Sequence, residues 1–160
     1  MKWEEIGKQP CSIARTLSVV GDRWTLLILR NAFTGMRRFD EFHDSLGLTR
    51  HLLSERLKRL VEHQILMKQP YVDRQERMEY RLTEKGLELY PLLMAMSSWA
   101  DKWMDEGLGS PVHYTHKSCG HVFKPIMVCS ECGEVLMAKQ VKAVFTQAYF
   151  DKLKQLEQAI

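Results

Sequence analysis

Two groups of side chains in this 160-residue chain have types and spacings that could do chemistry. The first is His116-Lys-Ser-Cys119-Gly120, followed by Cys129-Ser-Glu-Cys132-Gly133. Each is a ligand-x-x-Cys-Gly turn, whose amides point toward sulfur and whose glycine tolerates the positive φ the turn needs. Zinc takes four ligands, and Cys119, Cys129, Cys132 and His116 make a closed Cys3His set with no position left for water. The spacing therefore predicts a structural zinc, not a catalytic one. So short a segment has almost no core, and the metal would supply its folding energy. A Cys129–Cys132 redox pair, cysteines that merely pack, and exchange of His116 for His121 or His113 are alternatives that the residues leave open.

The second group is Arg50, His51 and Ser54, with Lys58 a turn further on. At helical spacing they share a polar face opposite Leu53, Leu57, Leu60 and Val61. A helix that enters the DNA major groove reads bases with the residues at its N-terminal end. Arg can fork onto guanine, and Ser or His can donate or accept. Lys58 stands where a phosphate contact fits better than a base contact. Arg74 and Arg77, in a basic turn downstream, could enter a minor groove or pair with phosphates. Arg37 and Arg38 begin a preceding helix near where a DNA backbone would pass. The bland counterpart is that any exposed helix carries charges, and Arg59 with Glu55 or Glu62 would make ordinary i,i+4 pairs. Arg56 points to the apolar side and reads as structural.

The elements that must position these groups follow from periodicity and punctuation. Ser12 opens a helix with apolar Ile13, Leu17 and Val20, ended by Gly21; Asp22 caps a second with Trp24, Leu27, Ile28 and Ala32. Phe39, Phe42 and Leu46 form a third, stopped by Gly47. Thr49 caps the fourth, which runs to about His63. Ile65 to Val72 and Met78 to Leu82 read as strands joined by a turn at Asp73 to Arg77. Thr83 opens a last helix, kinked at Pro91, whose stripe of Leu89, Leu92, Leu93, Met96, Trp99 and Trp103 is wider than a small domain hides alone. Pairing of two subunits would bury it. Helix, strand, basic turn, strand, helix is the layout of a winged helix. The fold class is mainly α with a small β-wing (α+β). The predicted divisions are a DNA-binding and dimerisation domain over 1–107, the zinc-ribbon-like Cys/His segment over 108–137, and a helix or tail over 138–160, where Val144, Tyr149, Leu153 and Leu156 fall at near-helical spacing.

Bulk properties bound the function. Hydrophobic residues make up 45% of the chain, enough for a core, and the net charge of +3 permits a nucleic-acid partner without demanding one. There is no apolar run of the roughly 20 residues needed to span a bilayer, and no signal-peptide pattern at the start, so a cytoplasmic protein with reduced cysteines and no membrane partner is expected. Nothing resembles a nucleophile–base–orienter set, a phosphate loop or a His-Glu-x-x-His site, so the expectation is that the chain is not an enzyme.

The same residues resemble a known family. Cys11-Ser-Ile-Ala-Arg-Thr-Leu, Gly21-Asp-Arg-Trp24-Thr-Leu-Leu-Ile28-Leu, Gly35-Met-Arg-Arg38-Phe39-Asp-Glu-Phe42, Leu48-Thr-Arg-His-Leu-Leu-Ser54-Glu-Arg56-Leu57 and Tyr80-Arg-Leu82-Thr83-Glu-Lys-Gly86 are similar, in order, to the signature of HxlR-type regulators, distant relatives of the MarR group. The resemblance covers about residues 10 to 105. It implies a winged-helix transcriptional repressor or activator that binds double-stranded promoter DNA as a homodimer and responds to a small-molecule or redox effector. Arg50, His51, Ser54 and Lys58 on the helix, and Arg74 and Arg77 on the wing, are the DNA contacts the resemblance implies; Arg37 and the cap residue Thr49 join them as candidate contacts from their positions beside the helix. In several members of the family, a cysteine at the position of Cys11 senses oxidants; here it precedes a helix N-terminus, a placement that can activate a thiol. A small buried hydrophobe is the plainer role for Cys11. The chain departs from the family pattern with Gln75-Glu76 where a wing proline is common, and with His63-Gln64 where a glycine often follows the recognition helix. The remaining alternative is a protein-interaction module docking in a transcription assembly through the winged helix and zinc ribbon.

Overall fold

The computed structural model describes the backbone of residues 3–71 and 74–158, and the side chains of residues 5–71 and 78–158. The chain forms two compact units, Met1–Glu88 together with Val144–Ile160, and Leu89–Ala143. In the first, helices α1 (Trp3–Ile6), α2 (Ser12–Val20), α3 (Arg23–Phe33), α4 (Phe39–Leu46) and α5 (Arg50–Glu62) precede a hairpin of β1 (Leu66–Tyr71) and β2 (Arg74–Leu82) and the short α6 (Glu84–Leu87).

Local side-chain chemistry starts α3, α4, α5 and α6. Asp22 Oδ1 accepts the amides of Trp24 and Thr25, both at 3.1 Å, at the head of α3. Burial pushes the Asp22 carboxyl up. The Thr25 hydroxyl, the Thr25 and Trp24 amides and the Arg56 guanidinium outweigh it and hold the group below its ordinary range. Glu41 Oε2 accepts the amides of Arg37 and Arg38 at 2.8 and 3.0 Å, which starts α4 at Phe39, just after the two arginines, and holds the Glu41 carboxyl low. Thr49 Oγ1 accepts the Leu52 amide at 3.3 Å to start α5, and Thr83 Oγ1 accepts the Gly86 amide at 3.0 Å to start α6.

The core of this unit is the meeting of α3, α4, α5 and β1. Ile28, Leu29, Phe42, Leu53 and Leu57 are wholly buried, and Leu60, Ile65 and Leu66 nearly so. Leu53, Leu57 and Leu60 supply the inner stripe of α5 that their spacing predicts. Buried Asn31 is satisfied on both sides: its Nδ2 donates to Ser45 Oγ at 3.0 Å, and its Oδ1 accepts from Arg30. Of the apolar positions expected to anchor α2, Val20 is buried but Ile13 and Leu17 are exposed, with Ala14 turned inward instead. Helical spacing defines a face; it does not say what that face meets.

The end of α5 explains one departure from the family pattern. The Ile65 amide bonds Leu60 O and the Gln64 amide bonds Val61 O, both at 2.9 Å, while Gln64 takes φ +57°. This is a Schellman ending with glutamine in the left-handed position that glycine usually fills. The hairpin is antiparallel, with Leu66 opposite Leu82 and Pro70 opposite Met78, and its register shifts between Pro70 and Tyr71. Residues 74–77, expected in the turn, belong to β2, with Arg74 opposite Tyr71 beyond the shift in register. The α8 helix (Gln147–Glu157) completes the unit within the predicted tail, with Tyr149, Leu153 and Leu156 half-buried.

The second unit begins with α7 (Tyr90–Trp103). The single kinked helix expected from Thr83 onward is in fact two, α6 and α7. Pro91 lies in the first turn of α7, where its missing amide would have had no partner and its fixed φ suits helix initiation. After α7 come two small hairpins, the strand pair β3 (Tyr114–Thr115) and β4 (Val122–Phe123), and a bridge of Val128 to Val135. No residue from Met104 to Ala143 is buried.

Candidate nucleic-acid interface

Because Leu53, Leu57 and Leu60 are pinned in the core, the opposite side of α5 has a fixed direction, and Arg50, His51, Ser54 and Lys58 are all exposed on it. Three of the four already have protein partners. The Arg50 guanidinium lies 4.9 Å over the Phe39 ring, with Nη2 3.0 Å from Asp40 Oδ1. His51 Nε2 stands 3.7 Å from Glu55, and Lys58 Nζ 3.7 Å from Glu62. Exposed pairs of this kind are worth only about 0.2–1 kcal/mol. A bidentate base contact discriminates by about 1–3 kcal/mol. The pairs therefore pre-orient the cations without locking them.

The arginines on the other flank of α5 hold the helix. Arg56 Nε donates to Asp22 Oδ1 at 3.2 Å, tying α5 to the head of α3. Arg59, expected to pair with Glu55 or Glu62, instead donates to the Ser18 carbonyl of α2. A helix C-terminus exposes such carbonyls, and a guanidinium is their natural partner. Thr49 is engaged through its hydroxyl as the cap of α5.

The wing is fastened at its base by a cluster that sequence reasoning missed. Glu79 is 7% exposed and lies between Arg81 (3.1 Å) and Arg38 (3.9 Å). Arg38 also stacks 4.5 Å over the Tyr71 ring, and the Arg37 carbonyl accepts the Tyr80 amide at 2.7 Å. These contacts join the start of α4 to both strands, so Arg37 contributes its backbone to the wing while its side chain remains exposed. The one sequence signal was Glu79 and Arg81 two apart on a strand, hence on one face. Arg74 and Arg77 lie outside the described side chains.

Cys11 is half-buried at the N-cap of α2, where its carbonyl accepts the Arg15 amide at 3.0 Å. The distal Cys/His residues form two pairs. His116 Nδ1 stands 3.4 Å from Cys119 Sγ. The amides of Cys132 and Glu131, with the Cys132 side chain, surround Cys129 and hold its thiol below its ordinary range. Among the described residues, no group of three or more His, Cys, Asp and Glu side chains stands close enough to hold a metal ion, so the four expected ligands are two pairs rather than an assembled tetrad. No helix among them is long and apolar enough to cross a membrane.

Comparison with known proteins bears on the first unit most directly. A family model described as HxlR-like helix-turn-helix matches residues 19–108. The uncharacterized HTH-type transcriptional regulator Rv3095 of Mycobacterium tuberculosis (strain ATCC 25618 / H37Rv) is 42% identical over 130 residues, which are 81% of this chain and 82% of that protein. The crystal structure of PA1607, described as a candidate transcription factor, superposes with a TM-score of 0.76 at 36% identity, covering 84% of this chain and 94% of that one. The redox regulator HypR in its reduced form matches with a TM-score of 0.54 at 26% identity, over 61% of this chain and 96% of that one.

Proposed function

This chain belongs to the HxlR-like helix-turn-helix family and is a transcriptional regulator of that type; we propose that it binds operator DNA as a homodimer, inserting α5 into the major groove. Arg50, His51 and Ser54 read base edges, and Lys58 contacts phosphate. The hairpin, with Arg74 and Arg77, reaches the adjacent backbone or minor groove. The observation that carries this reading is the two-sidedness of α5: one face wholly buried, the other exposed and polar from its first turn. A rigid helix with short and forked donors at its N-terminal end suits a groove.

A second copy would cover the exposed apolar stripe of α7. Leu92, Met96, Trp99 and Trp103, spaced four, three and four apart, are all exposed, Trp103 by 66%. Such a stripe on a single helix supports pairing with an identical one. Cys11 gives the regulator a route for an oxidant effector, a role that HypR's description as a redox regulator makes reasonable by kinship.

Fluorescence anisotropy with a selected operator tests the reading. Arg50→Ala and Ser54→Ala should change sequence preference, whereas Lys58→Ala should weaken all sequences alike and reduce the salt slope by about one. Unchanged preference in both α5 variants would remove the groove assignment and favour a protein-docking role for the same surface.

A further inference from the structure

The two Cys/His turns are built to one plan. In the first, the His116 amide bonds His121 O at 2.9 Å and the Gly120 amide bonds His116 O at 2.8 Å. In the second, the Cys129 amide bonds Glu134 O at 2.8 Å and the Gly133 amide bonds Cys129 O at 2.9 Å. Residue i thus donates to i+5 and accepts from i+4 in both, and the glycine at i+4 takes φ +74° or +75°. Each turn places metal-ligating atoms at i and i+3 on one side: imidazole and thiol in the first, two thiols in the second. Each also closes a minimal antiparallel pairing, Thr115 with Val122 and Val128 with Val135. Two ligand-bearing turns thus share one backbone geometry around different loop sequences.

We propose that His116, Cys119, Cys129 and Cys132 are two preformed halves of one structural zinc site, which closes when the ion draws the halves together. The chemistry of the donors fits zinc: three thiolates and one imidazole complete a tetrahedron, and soft sulfur ligands select zinc over magnesium or calcium. The packing also fits. Met104 to Ala143 contains no buried residue, so no core opposes movement of one half toward the other, and no core would otherwise fix the segment. Val122, Val128, Val135 and Leu136 are exposed. Binding releases the thiol protons of the three cysteines to solvent and leaves no coordination position for water, so the ion holds the segment and does no catalysis. The site lies outside α5 and the wing, and its existence does not depend on how the regulator reads DNA.

The test uses the full chain, produced with zinc, freed of loosely held metal and analysed by elemental analysis and zinc X-ray absorption. One zinc per chain is expected, with three sulfur neighbours at about 2.3 Å and one nitrogen at about 2.0 Å. Cobalt substitution should give the intense thiolate charge-transfer and tetrahedral ligand-field bands of a four-coordinate site. Cys119→Ser and Cys129→Ser should each lose stoichiometric zinc, and His116→Ala should remove the nitrogen neighbour while His113→Ala leaves it. Circular dichroism of each variant, with the α-helical signal unchanged, keeps loss of metal distinct from loss of fold. Absence of zinc from protein whose cysteines titrate as free thiols would overturn the proposal. So would a Cys129–Cys132 disulfide in freshly isolated protein, half a zinc per chain bridging two copies, or loss of the nitrogen neighbour in His121→Ala instead of His116→Ala.

Discussion

Residues 25–66 and residues 104–143 are stretches of about the same length that hold themselves together in opposite ways. The first surrounds Ile28, Leu29, Phe42, Leu53, Leu57 and Leu66, each with no more than 1% of its surface exposed; the second buries nothing. Where apolar burial fixes the elements, the outer face is free to vary, and α5 uses that freedom to display Arg50, His51 and Ser54. Where nothing is buried, geometry comes from turn hydrogen bonds, and the side chains that remain conspicuous are those of His116, Cys119, Cys129 and Cys132. Stability and function are therefore separable in the first stretch, on two faces of one helix. In the second they would be the same four residues.

The difference is sharpest under core truncation. Phe42→Ala should lower the stability of the helical unit by about 3–5 kcal/mol. Val135→Ala, at a site 49% exposed, should stay within about 0.5 kcal/mol. Urea unfolding followed by circular dichroism reads both, and equal effects would erase the distinction drawn here. Next in size is the functional face. Arg50→Ala should cost about 1–3 kcal/mol of operator binding, whereas Lys139→Ala, in the coreless stretch, should leave sequence preference unchanged. Asp40→Asn removes the acid now paired with Arg50 and should tighten binding, by no more than the roughly 0.2–1 kcal/mol such a surface pair is worth.

Both regions hold glycines and one residue with a Cβ, Gln64 in the first and Glu106 in the second, in the left-handed conformation. Gln64→Gly should stabilise the helical unit by about 1 kcal/mol, since φ +57° strains a residue with a Cβ. Gly133→Gln should have the reverse sign in the Cys/His segment, seen as faster amide exchange around Cys129. The smallest effect is electrostatic. The Asp22 carboxyl is held low in the folded state, so it contributes stability above its unfolded value, which is lost as pH falls through the folded one. The wild type should thus lose stability below about pH 4, and Asp22→Asn should flatten that acid limb; an identical slope in both proteins would show that the cap carries no linkage.

What the residues reveal in advance is what depends on neighbours along the chain. Asp22, Thr49 and Thr83 announce their helices because a cap acts within three positions, and Leu53, Leu57 and Leu60 announce their face because helical period is local. Contacts across the fold are not written in spacing. Arg50 reaches Asp40 ten positions back, and Arg59 reaches Ser18 forty-one positions back, so neither could be distinguished from an ordinary i,i+4 pair in the sequence. The Arg38–Glu79–Arg81 cluster needed the wing to fold against α4 before it existed. Ile13 and Leu17 carried helical spacing but no sign of whether the face they form meets the core or another chain. The start of β2 at Arg74 was hidden because Arg74 to Arg77 have the polar composition that turns also have.

In vitro selection of double-stranded DNA by the wild type, with Arg50→Ala selected in parallel, tests the central claim most directly. A palindrome with half-sites about one helical turn apart is expected, with relaxed preference in the variant at one position per half-site. Enrichment of no sequence, or of the same sequence by both proteins, would contradict it.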